Sequence, residues 1–441
     1  MSNRLRRIDW IAVVIIVAIT AFHMWGIRLV PFHPDETSLL YQSADLETWL
    51  HDPLSLAWDP TRITEPDQVY RTLNPPLPKI VLGLGRRLAG FGPSAVAVDW
   101  DWSKTWDENR QSGALPGERL LDSARLANVM LLPFGLILLY LCGVKIGGRA
   151  TAILAVVLLG TNSLILLHTR RAMAEASVVF GVSLAAAGFV QARERPWLAG
   201  MGAATATLSK LSTAALAPVG LALAIWPERG GTHTFRRIAA RCVTYLGAFL
   251  GEVFVFDPLL WRHPFQAIVA VWQARLAFSA GQVSQIGAAV PTSILHTPAE
   301  RLASLIGNLF IVPLQFAEVG NYVAQTQTQV RAYLAFPGDV LLRGFVAGGI
   351  VLLIGLAGMT LAVIRSPRLP ATSRFAFAAL AAASIAQGLA LCVAVRLPFQ
   401  RYYIPLVPFG CLWVAYGLTA LITTAKQAIR RPTDREVQPM S

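Results

Sequence analysis

The chain has 441 residues, 54% of them hydrophobic and only 14% charged, with a net charge of +13. A soluble domain carries about 25% charged residues, so this composition excludes an ordinary soluble enzyme and indicates a polytopic membrane protein. In a soluble chain the positive charge would suggest nucleic acid. Here no basic domain or aromatic reader motif goes with it, and arginines in short cytoplasmic loops account for it through topology.

Trp10 to Ile27 is a first apolar run of membrane length, preceded by Arg4, Arg6 and Arg7. The rule that positive residues stay inside predicts a cytoplasmic N-terminus. Residues 28–122 then form a long outer segment that holds 14 of the chain's 25 acids. It opens with Pro31-Phe32-His33-Pro34-Asp35-Glu36. Thr37 to Leu50 reads as an amphipathic helix. Ile80 to Leu88 is too short to span, is interrupted by Arg86-Arg87, and reads as a helix on the membrane surface. Asp99-Trp100-Asp101-Trp102 reads as a solvated loop near the headgroups.

Nine further crossings follow from apolar runs and loop charge. They are Ser123 to Gly143, Ala150 to Leu167, Glu175 to Gln191, Leu198 to Leu208, Leu211 to Trp226, Cys242 to Phe256, Val340 to Ile364, Phe375 to Val395 and Tyr403 to Thr423. Each proposed inner loop holds Lys or Arg, including Lys145, Arg229, Arg368 and Arg431. The expectation is an all-α membrane protein with about ten transmembrane helices, one domain and both termini cytoplasmic. A second long outer segment, 257–338, holds one surface helix at Leu302 to Phe316 and no recognisable motif. Cys142, Cys242, Cys392 and Cys411 form no C-x-x-C pair and read as packing residues.

The outer ends of these helices collect ionisable residues, which are costly at membrane depth and usually face a cavity, a partner or a substrate. Asp35, Glu36 and Glu175 are the acids; Lys79, Arg170, Arg171, Lys210 and Arg401 are bases. Transfer of a sugar from a polyprenyl phosphate needs a carboxylate to take the acceptor's proton. It also needs cations to hold the departing phosphate. Asp35 and Glu36 fit the first role, and the five bases the second. Plainer roles exist for each. Asp35-Glu36 would suit the first turn of the helix that follows, Lys79 could snorkel, and Arg170, Arg171 and Arg401 could anchor helices at headgroups. His33 and His168 read as polar loop residues, and no cluster at metal-ligand spacing is visible. A divalent ion held between Asp35 and phosphate is compatible with the pattern.

His33-Pro34-Asp35-Glu36 after the first span resembles the acidic first-loop motif of the GT-C membrane glycosyltransferases, closest to the protein O-mannosyltransferase and aminoarabinose-transferase branch. Asn74-Pro75-Pro76-Leu77-Pro78-Lys79 is similar to that branch's His-Pro-Pro-Leu-x-Lys segment, with Asn74 in place of the usual His. Ala124-Arg125-Leu126, Thr169-Arg170-Arg171-Ala172-Met173-Ala174-Glu175, Leu208-Ser209-Lys210 and Arg401-Tyr402-Tyr403 resemble later landmarks. The resemblance covers residues 1–230 and the last ~50.

It implies a GT-C fold and a hexosyl- or pentosyltransferase in a bacterial inner (plasma) membrane. The active site would face the periplasm, with Asp35 as the leading carboxylate. His33, Asn74, Arg125, Glu175 and Tyr402 would support it. The implied partners are a polyprenyl-phosphate sugar donor, a lipid, glycan or protein acceptor, and membrane lipid, with no cofactor required. A transporter or flippase for lipid-linked sugars is the alternative, though no repeated half supports it. A non-catalytic lipid-binding subunit is a third.

Overall fold

The computed structural model describes residues 9–430 apart from 97, 228–234, 319, 337–342, 366 and 368. Arg4, Arg6, Arg7, Arg229, Arg368, Arg431 and the start of the predicted span at Val340 lie outside the described residues. Every regular element among the described residues is helical.

The first span, α1 (Trp10–Trp25), starts on Asp9, whose side chain accepts the Ala12 N–H at 3.3 Å. The acidic segment after it folds into α2 (Pro34–Gln42), α3 (Asp45–His51), α4 (Pro66–Leu73), α5 (Pro76–Leu88) and α6 (Trp106–Gln111). The single helix predicted for Thr37 to Leu50 is broken at Ser43. The guanidinium of Arg86 reaches into the break, donating to Ser43 Oγ at 3.1 Å and to the Ser43 carbonyl at 3.3 Å. Arg86 is therefore no headgroup residue. It is fully buried and pairs with Glu47, while Arg87 stays exposed. Nor is Trp100 solvated: it is buried with Phe32, Ala114 and Tyr322.

The membrane body continues with α7 (Glu118–Val129), α8 (Leu132–Gly160), α9 (Ser163–Thr169), α10 (Glu175–Phe189), α11 (Pro196–Ser209), α12 (Leu216–Ile225) and α13 (Phe235–Phe256). α8 is a hairpin. Gly148 turns the chain at φ 80°, ψ −170°, a conformation that glycine adopts without the steric cost of a Cβ. The two arms then run so close that a Cβ on Gly143 would sit 2.5 Å from Ala152 Cα. α10 and α11 approach through small residues in the same way. A Cβ on Gly181 would meet Ala206 Cα at 2.8 Å, and one on Gly202 would meet Ala185 Cα at 2.6 Å. In a bilayer, where apolar surface is not expelled from lipid, such backbone approach is what holds helices together.

The second long segment between spans contains α14 (Pro264–Ala289), α15 (Pro298–Phe310) and α16 (Val323–Leu334), followed by α17 (Phe345–Arg365), α18 (Ala371–Ala394) and α19 (Val407–Arg430). α14 was not foreseen. Its 26 residues pack mainly on α4 and on two short turns, not on the helical body. Among the described residues, six helical stretches are long and apolar enough to cross a membrane: Trp10–Arg28, Glu118–Gly160, Phe235–Phe256, Phe345–Arg365, Ala371–Ala394 and Gln400–Gln427. Glu118–Gly160 contains the hairpin, and Glu175–Phe189 and Leu211–Ile225 are shorter apolar helices. The chain is an integral membrane protein, with α2–α6 and α14–α16 gathered at one end of the first and last spans.

Candidate active site

The first turn of α2 builds the centre of the site. Pro34 at its first position supplies a preset φ and lacks the N–H that would need a partner. His33 caps the helix: its Nδ1 accepts the Asp35 N–H at 3.1 Å, and its own N–H donates to Glu36 Oε2 at 3.0 Å. This reciprocal cap holds the two carboxylates in fixed and opposite environments.

Glu36 is fully buried. Arg125 grips it through two bonds, Nε to Oε1 at 2.8 Å and Nη2 to Oε2 at 2.7 Å. The Ala172 N–H adds a third at 2.8 Å, and the His33 cap a fourth. Arg125 also donates to the carbonyls of Ile27 and Val30 at 2.7 and 3.2 Å. Burial alone would raise the Glu36 carboxyl, but Arg125 outweighs it and holds the group below the usual carboxylate range. No lone pair of Glu36 is left for a substrate proton.

Asp35 is different. Its side chain keeps 32% of its surface, and Arg401 pairs with it. Burial raises its carboxyl, and the Arg401 guanidinium beside it more than offsets that, leaving it below its ordinary value. Arg401 is shared. Its Nε lies 3.1 Å from Glu318 Oε1, and Glu318 accepts from His33 Nε2 at 2.7 Å. His33 therefore accepts at Nδ1 and donates at Nε2, which fixes its ring. Burial works to raise Glu318, yet Arg401 and His33 hold it far below the carboxylate range. Asp35, His33, Glu318 and Arg401 thus form one closed ring, in which Arg401 is shared by the two carboxylates and His33 links them from the other side.

The structure distributes the other predicted residues around this ring. Lys210 donates to Glu175 Oε1 at 2.9 Å, and Glu175 Oε2 has no hydrogen-bond partner. Lys210 lies over the Tyr402 ring at 5.4 Å, and Arg401 over the same ring at 5.7 Å, so Tyr402 joins the two groups. Arg171 is buried between the carbonyls of Pro31 (3.1 Å) and Phe316 (2.8 Å). Arg170 donates to the Phe22 carbonyl at 3.0 Å and lies over the Phe22 ring, against the end of α1. Lys79 belongs to a second group: it reaches Asp45 at 3.1 Å beside Arg71, with Asp257 close by. Asn74 donates to Gln42 at 3.0 Å, bracing α2 against the turn before α5. Nowhere among the described residues do three His, Cys, Asp or Glu side chains form a set placed to hold a metal ion.

The sequence missed Glu318 and His168. Between 258 and 338 the only acids are Glu300 and Glu318. Glu300 is explained by the capping box with Thr297 at the start of α15; Glu318 has no such local duty, and that was the available signal. His168 is buried with both ring nitrogens unpaired and feels Arg171, Glu318, Arg401 and His33.

No protein-family model matches the chain, and no curated protein matches it by sequence. Solved structures do match. The Archaeoglobus fulgidus oligosaccharyltransferase in complex with zinc and sulfate aligns over 94% of this chain and 50% of its own, at 14% identity and a TM-score of 0.52. Its apo form aligns over 97% and 53%, at 14% identity and a TM-score of 0.51. The S. cerevisiae protein O-mannosyltransferase Pmt1-Pmt2 complex overlaps less, over 59% and 34%, at 16% identity and a TM-score of 0.40. The chain spans about half the length of the oligosaccharyltransferase chains it matches. The oligosaccharyltransferase likeness bears out the GT-C fold, and at this identity it speaks to fold alone.

Proposed function

We propose that this chain is a membrane glycosyltransferase that moves a sugar from a polyprenyl-phosphate donor to an acceptor hydroxyl, on the outer side of the membrane and with inversion. One observation carries the reading: of the two adjacent carboxylates, Glu36 is saturated and Asp35 is open, and Asp35 faces a cation. In the transfer, the acceptor oxygen attacks the anomeric carbon while its proton passes to an Asp35 carboxylate oxygen. The bond from that carbon to the phosphate oxygen breaks, and its electron pair leaves on the phosphate. Asp35 is the base; Arg401, paired with it, and Lys210, over the same Tyr402 ring as Arg401, are the cations to stabilise the leaving charge. While Arg401 pairs with Asp35, the carboxylate is a weak base. A donor phosphate that draws Arg401 toward itself would restore its basicity, tying proton removal to donor occupancy. Glu36, Arg125 and His33 act by holding the turn. Lys79, Arg170 and Arg171, each engaged elsewhere, act as braces.

Asp35→Asn is isosteric and leaves Arg401 its second carboxylate, Glu318. Reconstituted in liposomes with radiolabelled undecaprenyl-phosphate sugars, this variant should transfer sugar at least about 100-fold more slowly than the parent, in line with loss of a general base, with an unchanged elution profile. Parental turnover in the variant would remove Asp35 from the chemistry. A parent that moves the donor across the bilayer without consuming it would make the protein a transporter.

A further inference from the structure

We infer that Arg275 on α14 receives the phosphate of the lipid-linked donor, and that the exposed apolar stripe of the same helix carries the donor's hydrocarbon chain. The inference rests on the lipid-phosphate reading above and places the donor on a helix that no sequence motif marks.

The first ground is the state of the cations. Lys79, Lys210, Arg125 and Arg401 each hold a carboxylate. Arg171 holds two carbonyls, and Arg170 a carbonyl and a ring. Arg275 meets no carboxylate and donates no hydrogen bond among the described residues; its guanidinium lies 5.8 Å from the ring of Phe278, one turn on. Its surroundings nevertheless desolvate it, and it lies within the electrostatic reach of Tyr402 and Arg401. An unpaired, partly desolvated guanidinium is costly in the empty protein. The phosphodiester anion of the donor, with two non-bridging oxygens, would relieve that cost through a bidentate contact.

The second ground is helix geometry. At about 100° per residue, Gln282 falls within about 20° of Arg275 around α14, and Gln282 Oε1 accepts from Tyr402 at 3.5 Å. The Arg275 face is therefore turned toward Tyr402, whose ring lies under both Lys210 and Arg401. Beside that face run Phe265, Ile268, Val269, Trp272 and Leu276, all exposed. Ile268 and Trp272 lie within about 60° of Arg275 on the same helical projection. The stripe covers three turns, and none of the described residues covers it. A chain of isoprene units anchored by a phosphate at Arg275 matches its chemistry, and the phosphate would stand beside Arg401 and so beside Asp35.

The test uses full-length protein in nanodiscs. Binding of undecaprenyl phosphate is measured by native mass spectrometry, with inorganic phosphate and phosphatidylglycerol as parallel probes. Arg275→Gln should weaken undecaprenyl phosphate at least tenfold, Arg275→Lys should lose less, and Arg110→Gln, on the exposed α6, should lose nothing. Trp272→Ser should weaken the lipid but leave inorganic phosphate unaltered. A second measurement needs no variant: phenylglyoxal should modify Arg275 in the empty parent, and undecaprenyl phosphate should protect it. Parental binding by Arg275→Gln, or no protection, overturns the assignment. Equal competition by phosphatidylglycerol makes the site one for ordinary headgroups and overturns it too. A parent that binds no undecaprenyl phosphate defeats the donor reading itself, which is distinct from a parent that binds it without Arg275.

Discussion

Asp35 and Glu36 are neighbours in sequence and opposites in environment, so their isosteric variants should part company. Glu36→Gln leaves the buried Arg125 charge uncompensated, and removing one member of a buried pair costs about 3–5 kcal/mol. Thermal unfolding in detergent should show Glu36→Gln melting well below the parent, with Asp35→Asn close to it. A Glu36→Gln protein with parental melting and lost transfer would instead make Glu36 a chemical group. Because burial and Arg125 together leave Glu36 with a lowered folded value, its stabilisation is present above the ordinary carboxylate range and is lost as pH falls through that lower value.

Asp257 shows the opposite sign. Burial pushes its carboxyl from 3.8 up to about 6, against the pull of Lys79. A raised acid is destabilising once ionised, so the cost appears as pH climbs from 3.8 and is complete above about 6. Asp257→Asn keeps an acceptor for the Leu259 N–H, now at 3.3 Å. It should melt higher than the parent at pH 8, by on the order of 2 kcal/mol, and the gain should vanish near pH 4. A gain independent of pH would mean that packing, not ionisation, is responsible.

At the scale of elements, the spans were legible where apolar residues run on without a break, as in α1, α17 and α18. The hairpin of α8 was legible because Lys145 and Arg149 interrupt two apolar runs. The sharpness of the turn falls on Gly148, and there a Cβ is disfavoured by the positive φ. Gly148→Ala should destabilise the protein by about 1 kcal/mol or more, seen as a lower melting temperature; an unchanged value would mean the hairpin opens at little cost. α14 was illegible because Gln266, Gln273 and Gln282 interleave its apolar residues, so no window reads as a span. The first half of the site was legible because proline, a cap and two acids follow one another in α2. Its second half was not: His33 meets Glu318 from 285 positions away, and the loop that carries Glu318 has no cap or turn signature of its own.

For the whole molecule, the remaining question of sides has a direct answer. Ser103 lies in the acidic segment that carries α2–α6 and Lys145 beside the Gly148 turn, and both are exposed. In a chain with its native cysteines replaced, a membrane-impermeant maleimide added to intact cells should label Ser103→Cys at once and Lys145→Cys only after permeabilisation. The reverse pattern would move the Asp35 ring to the cytoplasm and require a donor presented there.

Asp35 and Arg401 stand 366 positions apart, and that separation bears on how the protein is made. At about 5–20 residues per second, a ribosome completes α2 well before it reaches the partner of Asp35. Throughout that interval the nascent chain holds a carboxylate without its guanidinium, and any chain released early lacks both the charge that tames Asp35 and the Tyr402 face beside it. Under the proposed reaction, competence is thereby reserved for chains whose last span has been inserted, so truncated products in the membrane would transfer no sugar.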